Sequence, residues 1–254
     1  MKFIESINNK TIKFVASLKM KKTRDREGLF FAEGERNVCD GAQTQIPEMI
    51  FVSEEYKGKT DFGCEVYKVP ENIFKKISDT ETPQGILGVF KKKAGSLSEF
   101  AGENAIILNN LRDPGNIGTI LRTAKAAGFK NIILDKGCAD VYSPKTVRAA
   151  MSAIFGLNIY ITDDLTDSIS ELKKMNYTVC AADMGGKNMF ETELLSPFAA
   201  ILGNEANGVD ESLLEKADFV LSVPMTGEIE SLNAAVAGSV IMYEAARQKY
   251  HRVK

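Results

Sequence analysis

Apolar residues recur along this chain in short runs, and the period changes between them. In the first third, runs at 29–32, 48–52, 65–68 and 86–90 have the length and aromatic or β-branched content of strands. Residues 2–20 predict an opening helix with a loop after Asn9, and a second helix begins near Val38. Ile73, Phe74 and Ile77 recur at helical spacing behind Pro70, which suits a helix's first turn. Residues 1–93 therefore predict a small αβα sandwich. The stretch Lys91-Lys92-Lys93-Ala94-Gly95-Ser96 is charged and then small, and predicts a surface linker at 94–104.

Beyond the linker the alternation is more regular. Strands are expected at 106–108, 132–134, 158–161, 178–182, 199–202 and 219–223. The helices between and after them are expected at 116–127 (closed by Gly128), 143–152 (Pro144 in its first turn), 165–175, 211–216 (behind Asp210) and 232–248. Short apolar strands alternating with helices predict a mostly parallel α/β sheet, covered on both faces, over 105–254.

The chain has 254 residues, 44% hydrophobic and 26% charged, enough to bury a core without staples. Four scattered cysteines exclude a disulfide scaffold or zinc knuckle, and Cys180 falls in a predicted strand, as a core residue would. The single histidine, His251, excludes a His-rich metal site and disfavours a His-based triad, so no metal is expected. The opening MKFIESINNK lacks a secretory apolar run, and no window approaches 18 apolar residues. A soluble, cytoplasmic protein without a membrane segment is expected. The net charge of -2 argues against a histone-like binder. Residues 1–26 nevertheless hold eight Lys or Arg against two acids. Such a stripe suits focused contact with a polyanion, and a solvated charged helix explains it equally well.

Three polar segments follow strands, where ligands of parallel sheets bind. The first runs from Asn109-Asn110-Leu111-Arg112-Asp113-Pro114 to Asn116 and Gly118 and enters a helix carrying Arg122. Asn116 is a plausible N-cap, and Arg122 suits bidentate phosphate contact. A turn, a cap and a surface arginine account for the segment about as well. The second is Gly203-Asn204-Glu205-Ala206-Asn207-Gly208. A long turn explains its glycines and Asp210 but not Glu205. The third, 224–233, contains Ser231, a plausible cap, and Asn233, and it feeds the small residues 234–238. No G-x-G-x-x-G or P-loop pattern occurs, which disfavours a nicotinamide- or flavin-linked enzyme.

In this order the segments resemble the SpoU/TrmH family of RNA 2′-O-ribose methyltransferases, over roughly 105–250. Its first motif is similar to Asn116, Gly118 and Arg122. The second is similar to 203–208, and the third to Val223-Pro224-Met225, Gly227 and Ser231-Leu232-Asn233. Arg26, the strand at 29–32, Glu33-Gly34 and Thr82-Pro83-Gln84-Gly85-Ile86 resemble the small ribosomal-protein-like substrate-binding domain of rRNA methylases in the family. The resemblance implies a deep trefoil knot, a homodimer with sites near the subunit interface, and S-adenosylmethionine as cofactor. Cofactor-binding positions would be Ala181, Ala182, Asp183, Gly203, Asn204, Gly208, Val223, Met225 and Leu232. Arg122 would be the catalytic residue, either accepting the hydroxyl proton or only fixing a phosphate, with Asn116, Glu205, Ser231 and Asn233 around it. Lys19, Lys21, Lys22, Arg24, Arg26, Lys75 and Lys76 would contact RNA phosphates. The reaction needs a 2′-hydroxyl, hence RNA and not DNA, with rRNA favoured over tRNA. A non-catalytic RNA-binding module is the rival reading.

Overall fold

The computed structural model describes residues 1–100 and 102–252. Ala101, inside the expected linker, residues 253–254 and the side chains of His251 and Arg252 lie outside the described residues. The chain divides into two compact units: residues 1–92 together with 140–155, and residues 93–139 together with 156–254.

In chain order, the elements up to residue 92 are β1 (Lys2–Phe3), α1 (Lys10–Ser17), α2 (Lys21–Glu27), β2 (Leu29–Glu33), α3 (Glu35–Thr44), β3 (Met49–Ser53), β4 (Glu65–Val69), α4 (Glu71–Ile77) and β5 (Ile86–Lys91). There follow β6 (Ala105–Leu108), α5 (Pro114–Ala126), β7 (Asn131–Asp135), α6 (Pro144–Ala150), β8 (Asn158–Thr162), α7 (Leu165–Lys174), β9 (Thr178–Asn188), β10 (Phe198–Leu202), α8 (Glu211–Lys216), β11 (Phe219–Ser222) and α9 (Ala234–Arg252).

The first unit is a five-stranded mixed sheet in the order β1-β4-β3-β5-β2. Period-two alternation splits its core. Phe31, Phe51, Leu87 and Val89 pack with Ile12, Val15, Ile73 and Phe74 of α1 and α4. Ile50, Val52 and Ile86 pack with Val38 of α3. The expected helix over residues 2–9 is absent. Ser6 Oγ accepts the amide of Asn8 at 3.2 Å, and Asn9 Oδ1 caps α1 through the amide of Thr11 at 2.8 Å. These local bonds hold a turn in place of a helix.

Segment 140–155 belongs to this unit and not to the parallel sheet that its place in the sequence suggests. Phe155 lies 4.7 Å from Phe90 and 5.7 Å from Phe30, ring centre to ring centre, and Tyr142 lies 5.0 Å from Phe30. A Cβ on Gly41 would fall 2.6 Å from the Phe155 ring, so that seat exists only beside glycine. Arg24 secures the same segment. It is 3% exposed, donates to Asp140 through Nε at 3.2 Å and Nη2 at 2.5 Å, and spends Nη1 on the carbonyls of Leu18 and Lys19. The expected phosphate contact at Arg24 is thereby corrected: its guanidinium is committed inside the unit.

The second unit is a six-stranded, wholly parallel sheet in the order β11-β9-β10-β6-β7-β8, typical of the knotted SPOUT fold. Its central strands are continuous buried runs, as a sheet covered on both faces requires. Ile107, Ile133, Val179 and Ile201 pack with Leu165, Ile169 and Leu172 of α7. The expected surface linker is instead bound to this unit: Phe100 is fully buried in the same cluster and Gly95 donates to the carbonyl of Ile159. Ser143 caps α6, which ends at Ala150 because Met151 takes φ +51.

Removing one partner from a buried charged pair costs about 3–5 kcal/mol, whereas exposed pairs contribute about 1 or less. Arg24→Ala is therefore expected to lower unfolding stability by about 3 kcal/mol or more. Arg148→Ala, which loses a more exposed 3.2 Å pair with Asp79, should cost about 1 kcal/mol at most. Urea unfolding midpoints of the two variants test the contrast.

Candidate active site

A cavity of about 670 Å³ opens where β9, β10 and β11 end and α9 begins. Two backbone features build it. Between Val220 and Leu221 the β11–β9 register jumps: Val220 faces Ala181, whereas Leu221 faces Lys187. Residues 182–186 are thereby left unpaired by β11, and Asp183 and Met184 line the cavity. After β10, Asn204 and Gly208 exchange backbone hydrogen bonds at 2.8 and 2.9 Å. The turn is so tight that a Cβ on Gly203 would lie 2.1 Å from the carbonyl carbon of Gly208.

The expected cofactor positions Ala182, Asp183, Gly203, Asn204, Gly208, Val223, Met225 and Leu232 all line this cavity, as do Glu205, Ser231 and Asn233. Ala181 does not. It is fully buried in the sheet core, because strand alternation turns it towards α7 and α8. Met184, Glu230, Ala234 and Ala237 line the cavity as well, beyond the expected positions. The small residues at the start of α9 read equally well as a helix contact, and Glu230 gave no signal in the sequence.

Capping separates the motif residues from the roles first expected of them. Asp113, not Asn116, caps α5, accepting the amide of Asn116 at 2.8 Å. This leaves the Asn116 side chain to donate to Glu205 Oε1 at 2.8 Å. Asn233, not Ser231, caps α9 through the amides of Ala235 and Val236, and its Nδ2 donates to Asn116 Oδ1 at 3.1 Å. Glu205, Asn116 and Asn233 thus form one connected chain of side chains. Asn116 itself stands outside the cavity lining, and so does Arg122. Arg122 is exposed on α5, and among the described residues nothing pairs with its guanidinium.

Three acids, Asp183, Glu205 and Glu230, line the cavity, and no lysine, arginine or histidine does among the described residues. That donor set repels a nucleotide phosphate and favours a cation. Strand-end backbone, small side chains and apolar Leu202, Met225 and Leu232 offer neutral surface beside it. The residues fit S-adenosylmethionine, which joins an adenosine to a sulfonium. Burial pushes the Cys138 and Cys180 thiols up to about 12, which leaves both protonated at neutral pH and excludes them as ready nucleophiles.

The remaining basic positions lie in the first unit. Lys22, Lys75 and Lys76 are exposed, with no side-chain partner among the described residues. Lys21 pairs with Asp25 at 2.6 Å and Arg26 with Glu27 at 2.7 Å. Lys19 donates to the carbonyls of Lys76 and Ser78.

The fold and the cavity define an RNA methyltransferase of the SPOUT type. Residues 103–243 match the model of the SpoU rRNA methylase family, and residues 9–88 match that of the MRM3-like substrate binding domain. The chain is 35% identical, over 96% of its own length and 98% of the relative's, to the 23S rRNA (guanosine(2553)-2′-O)-methyltransferase RlmP of Bacillus subtilis. An AdoMet-bound rRNA methyltransferase from Sinorhizobium meliloti superposes with a TM-score of 0.87 at 29% identity, covering 97% of each chain. A TrmH-family RNA methyltransferase, described as putative, from Porphyromonas gingivalis gives 0.82 at 30%, covering 93% of this chain and 97% of that one. The chain belongs to the SpoU rRNA methylase family, whose members are S-adenosylmethionine-dependent RNA 2′-O-ribose methyltransferases.

The Gly203 turn supplies a test. Overpacking costs about 1–3 kcal/mol, so Gly203→Ala is expected to weaken S-adenosylmethionine binding about tenfold or more. At Gly227 an added Cβ meets nothing within 4 Å, and Gly227→Ala should bind like the unaltered protein. Calorimetric titration of both variants decides the matter.

Proposed function

We propose that this enzyme methylates a ribose 2′-hydroxyl of ribosomal RNA, of the 23S class. The observation that carries this reading is the extent of the likeness to the Bacillus subtilis enzyme. It runs through 96% of the chain and therefore includes the first unit as well as the parallel-sheet unit. The first unit serves as the RNA-binding domain and the parallel-sheet unit as the catalytic domain. Lys22, Lys75 and Lys76 are the phosphate-binding side chains that the geometry leaves available.

Bound S-adenosylmethionine supplies an electrophilic methyl group. The chain's own part is orientation and charge. Strand-end backbone at 182–183, 203 and 223–225 holds the adenosine, while Asp183 and Glu230 stabilise the positive charge. Asn116 fixes the Glu205 carboxylate at the mouth of the site. Arg122 grips an RNA phosphate beside the reacting ribose through its planar guanidinium.

The same reading includes a homodimer and a cytoplasmic location. Val236, Tyr243 and Tyr250 recur every seven residues on α9 and are 47%, 55% and 61% exposed, an apolar stripe suited to a second copy. Arg122 lies on α5, which is joined to α9 by the Ser239–Thr123 hydrogen bond at 3.1 Å. A second copy on this face brings Arg122 of one protomer towards the cavity of the other.

Transfer of labelled methyl from S-adenosylmethionine to unmodified rRNA and tRNA pools, followed by nucleoside digestion, tests the substrate. A 2′-O-methyl product in the rRNA pool is expected, and label confined to tRNA overturns the reading. With the true substrate, Arg122→Lys should lower turnover about 100-fold, because a misplaced group at a reacting centre costs that much. Near-normal turnover would remove the bidentate role. Alanine at Lys22, Lys75 and Lys76 together should flatten the slope of log affinity against log salt by about 2, at roughly 0.7 for each single-strand phosphate no longer neutralised. An unchanged slope would dismiss these three lysines as phosphate ligands.

A further inference from the structure

Behind the cavity, the loops leaving β6, β7 and β10 converge on one amide. Asn109 is 3% exposed and its side chain is fully used. Its Oδ1 accepts the amide of Asp210 at 2.9 Å. Its Nδ2 donates to Asp210 Oδ2 at 2.8 Å and to Asp135 Oδ2 at 3.1 Å. Asp135 also accepts the amide of Asn110 at 2.7 Å and that of Cys138 at 2.9 Å. Asn110 holds φ +51 and its carbonyl accepts Asn204 Nδ2 at 2.8 Å. Among the described residues no lysine or arginine pairs with Asp135 or Asp210. The groups between the two carboxylates are chiefly amides, with the Cys138 thiol also bonded to Asp135.

Asn109 and Asp135 are absent from the cavity lining. What they hold is the spacing of two loops. One leads from Asn110 through the Asp113 cap to Asn116, and the other carries Asn204 and Glu205. We infer that Asn109 and Asp135 are positioning residues for methyl transfer, clamping the loop that ends at Asn116 against the loop that carries Glu205. The inference rests on the reading that Asn116 and Glu205 serve the reaction.

The chemistry of the clamp makes it sensitive to isosteric change. Asp135→Asn points a donor at groups that are all donors: Asn109 Nδ2 and the amides of Asn110 and Cys138. Asn109→Asp sets a third carboxylate against Asp135 and Asp210, beside the protonated Cys138 thiol. Neither variant changes core volume.

The experiment measures kcat and KM for RNA, affinity for S-adenosylmethionine and melting temperature in both variants, at pH 8 and pH 6. Misplacement of a reacting group by about 1 Å costs up to about 100-fold, so kcat is expected to fall at least about tenfold at pH 8 in each, with cofactor affinity within about threefold and folding retained. The Asn109→Asp deficit, relative to unaltered enzyme, should narrow at pH 6, where a shared proton replaces the lost N–H donor. Turnover within about twofold of normal in both variants, or a deficit equal at both pH values, overturns the inference. Should a variant fail to fold, hydrogen exchange on the unaltered protein decides. The amides of Asn110, Cys138 and Asp210 should exchange together and slowly, and separate, fast exchange overturns the clamp. Unaltered enzyme that methylates no RNA would count against the functional reading alone, because exchange still reports on the clamp.

Discussion

Leu108 stands opposite Leu202 in the parallel pairing of β6 with β10, and the site is built outward from that register. Parallel strands end side by side on one edge of a sheet, so the loops that follow them must share the same space. The pairing continues one step past the strands, where the Asn109 amide donates to the carbonyl of Leu202 at 2.9 Å. Residues 109–116 and 203–208 therefore start level with each other. Their polar side chains are crowded at a sheet edge, and Asn109, the buried one among them, has to be satisfied by its neighbours. The hydrogen bonds from Asn109, Asn204 and Asn116 to Asp210, Asn110 and Glu205 are the outcome.

Charge divides the labour between the parts of the chain. Among the described residues the cavity is lined by acids without a base, which suits a cationic donor of methyl groups. Among the described residues, Arg122 on α5 and Lys22, Lys75 and Lys76 of the first unit are cations without a side-chain partner that lie outside it. A site that had to hold the sulfonium and the RNA phosphate in one pocket would meet opposite electrostatic demands. In the role proposed for Arg122, placing the guanidinium outside the cavity removes that conflict.

The basic run near the N-terminus shows how a charge pattern misleads when read without the third dimension. Lys21, Lys22, Arg24 and Arg26 look equivalent along the chain. In α2, Arg24 turns inward to the largely buried carboxylate of Asp140, more than a hundred positions away. Its neighbours turn to solvent. No local signal distinguishes a buried arginine from an exposed one when its partner lies so far along the chain.

Much was nevertheless legible in the sequence. Hydrophobic period placed the strands of the parallel sheet and all of the first sheet but β1, because buried strands must be short and continuously apolar. Turn-forming and capping residues marked the three loops where ligand chemistry collects. Resemblance at Asn116, Arg122, 203–208 and 231–233 supplied the family. What remained illegible depended on packing between distant segments. Which asparagine caps a helix and which reaches across to Glu205 was decided by the register of β6 against β10. The withdrawal of Ala181 into the core was decided by which face of β9 meets α7. The transfer of residues 140–155 to the first unit was decided by the Phe155 seat beside Gly41 and by the Arg24–Asp140 pair. The sequence by itself determined the elements, their order and the chemistry available at their ends. Only the tertiary structure decided which polar groups stay free to act, because a side chain is spent or spared according to the partners that packing brings within hydrogen-bond reach.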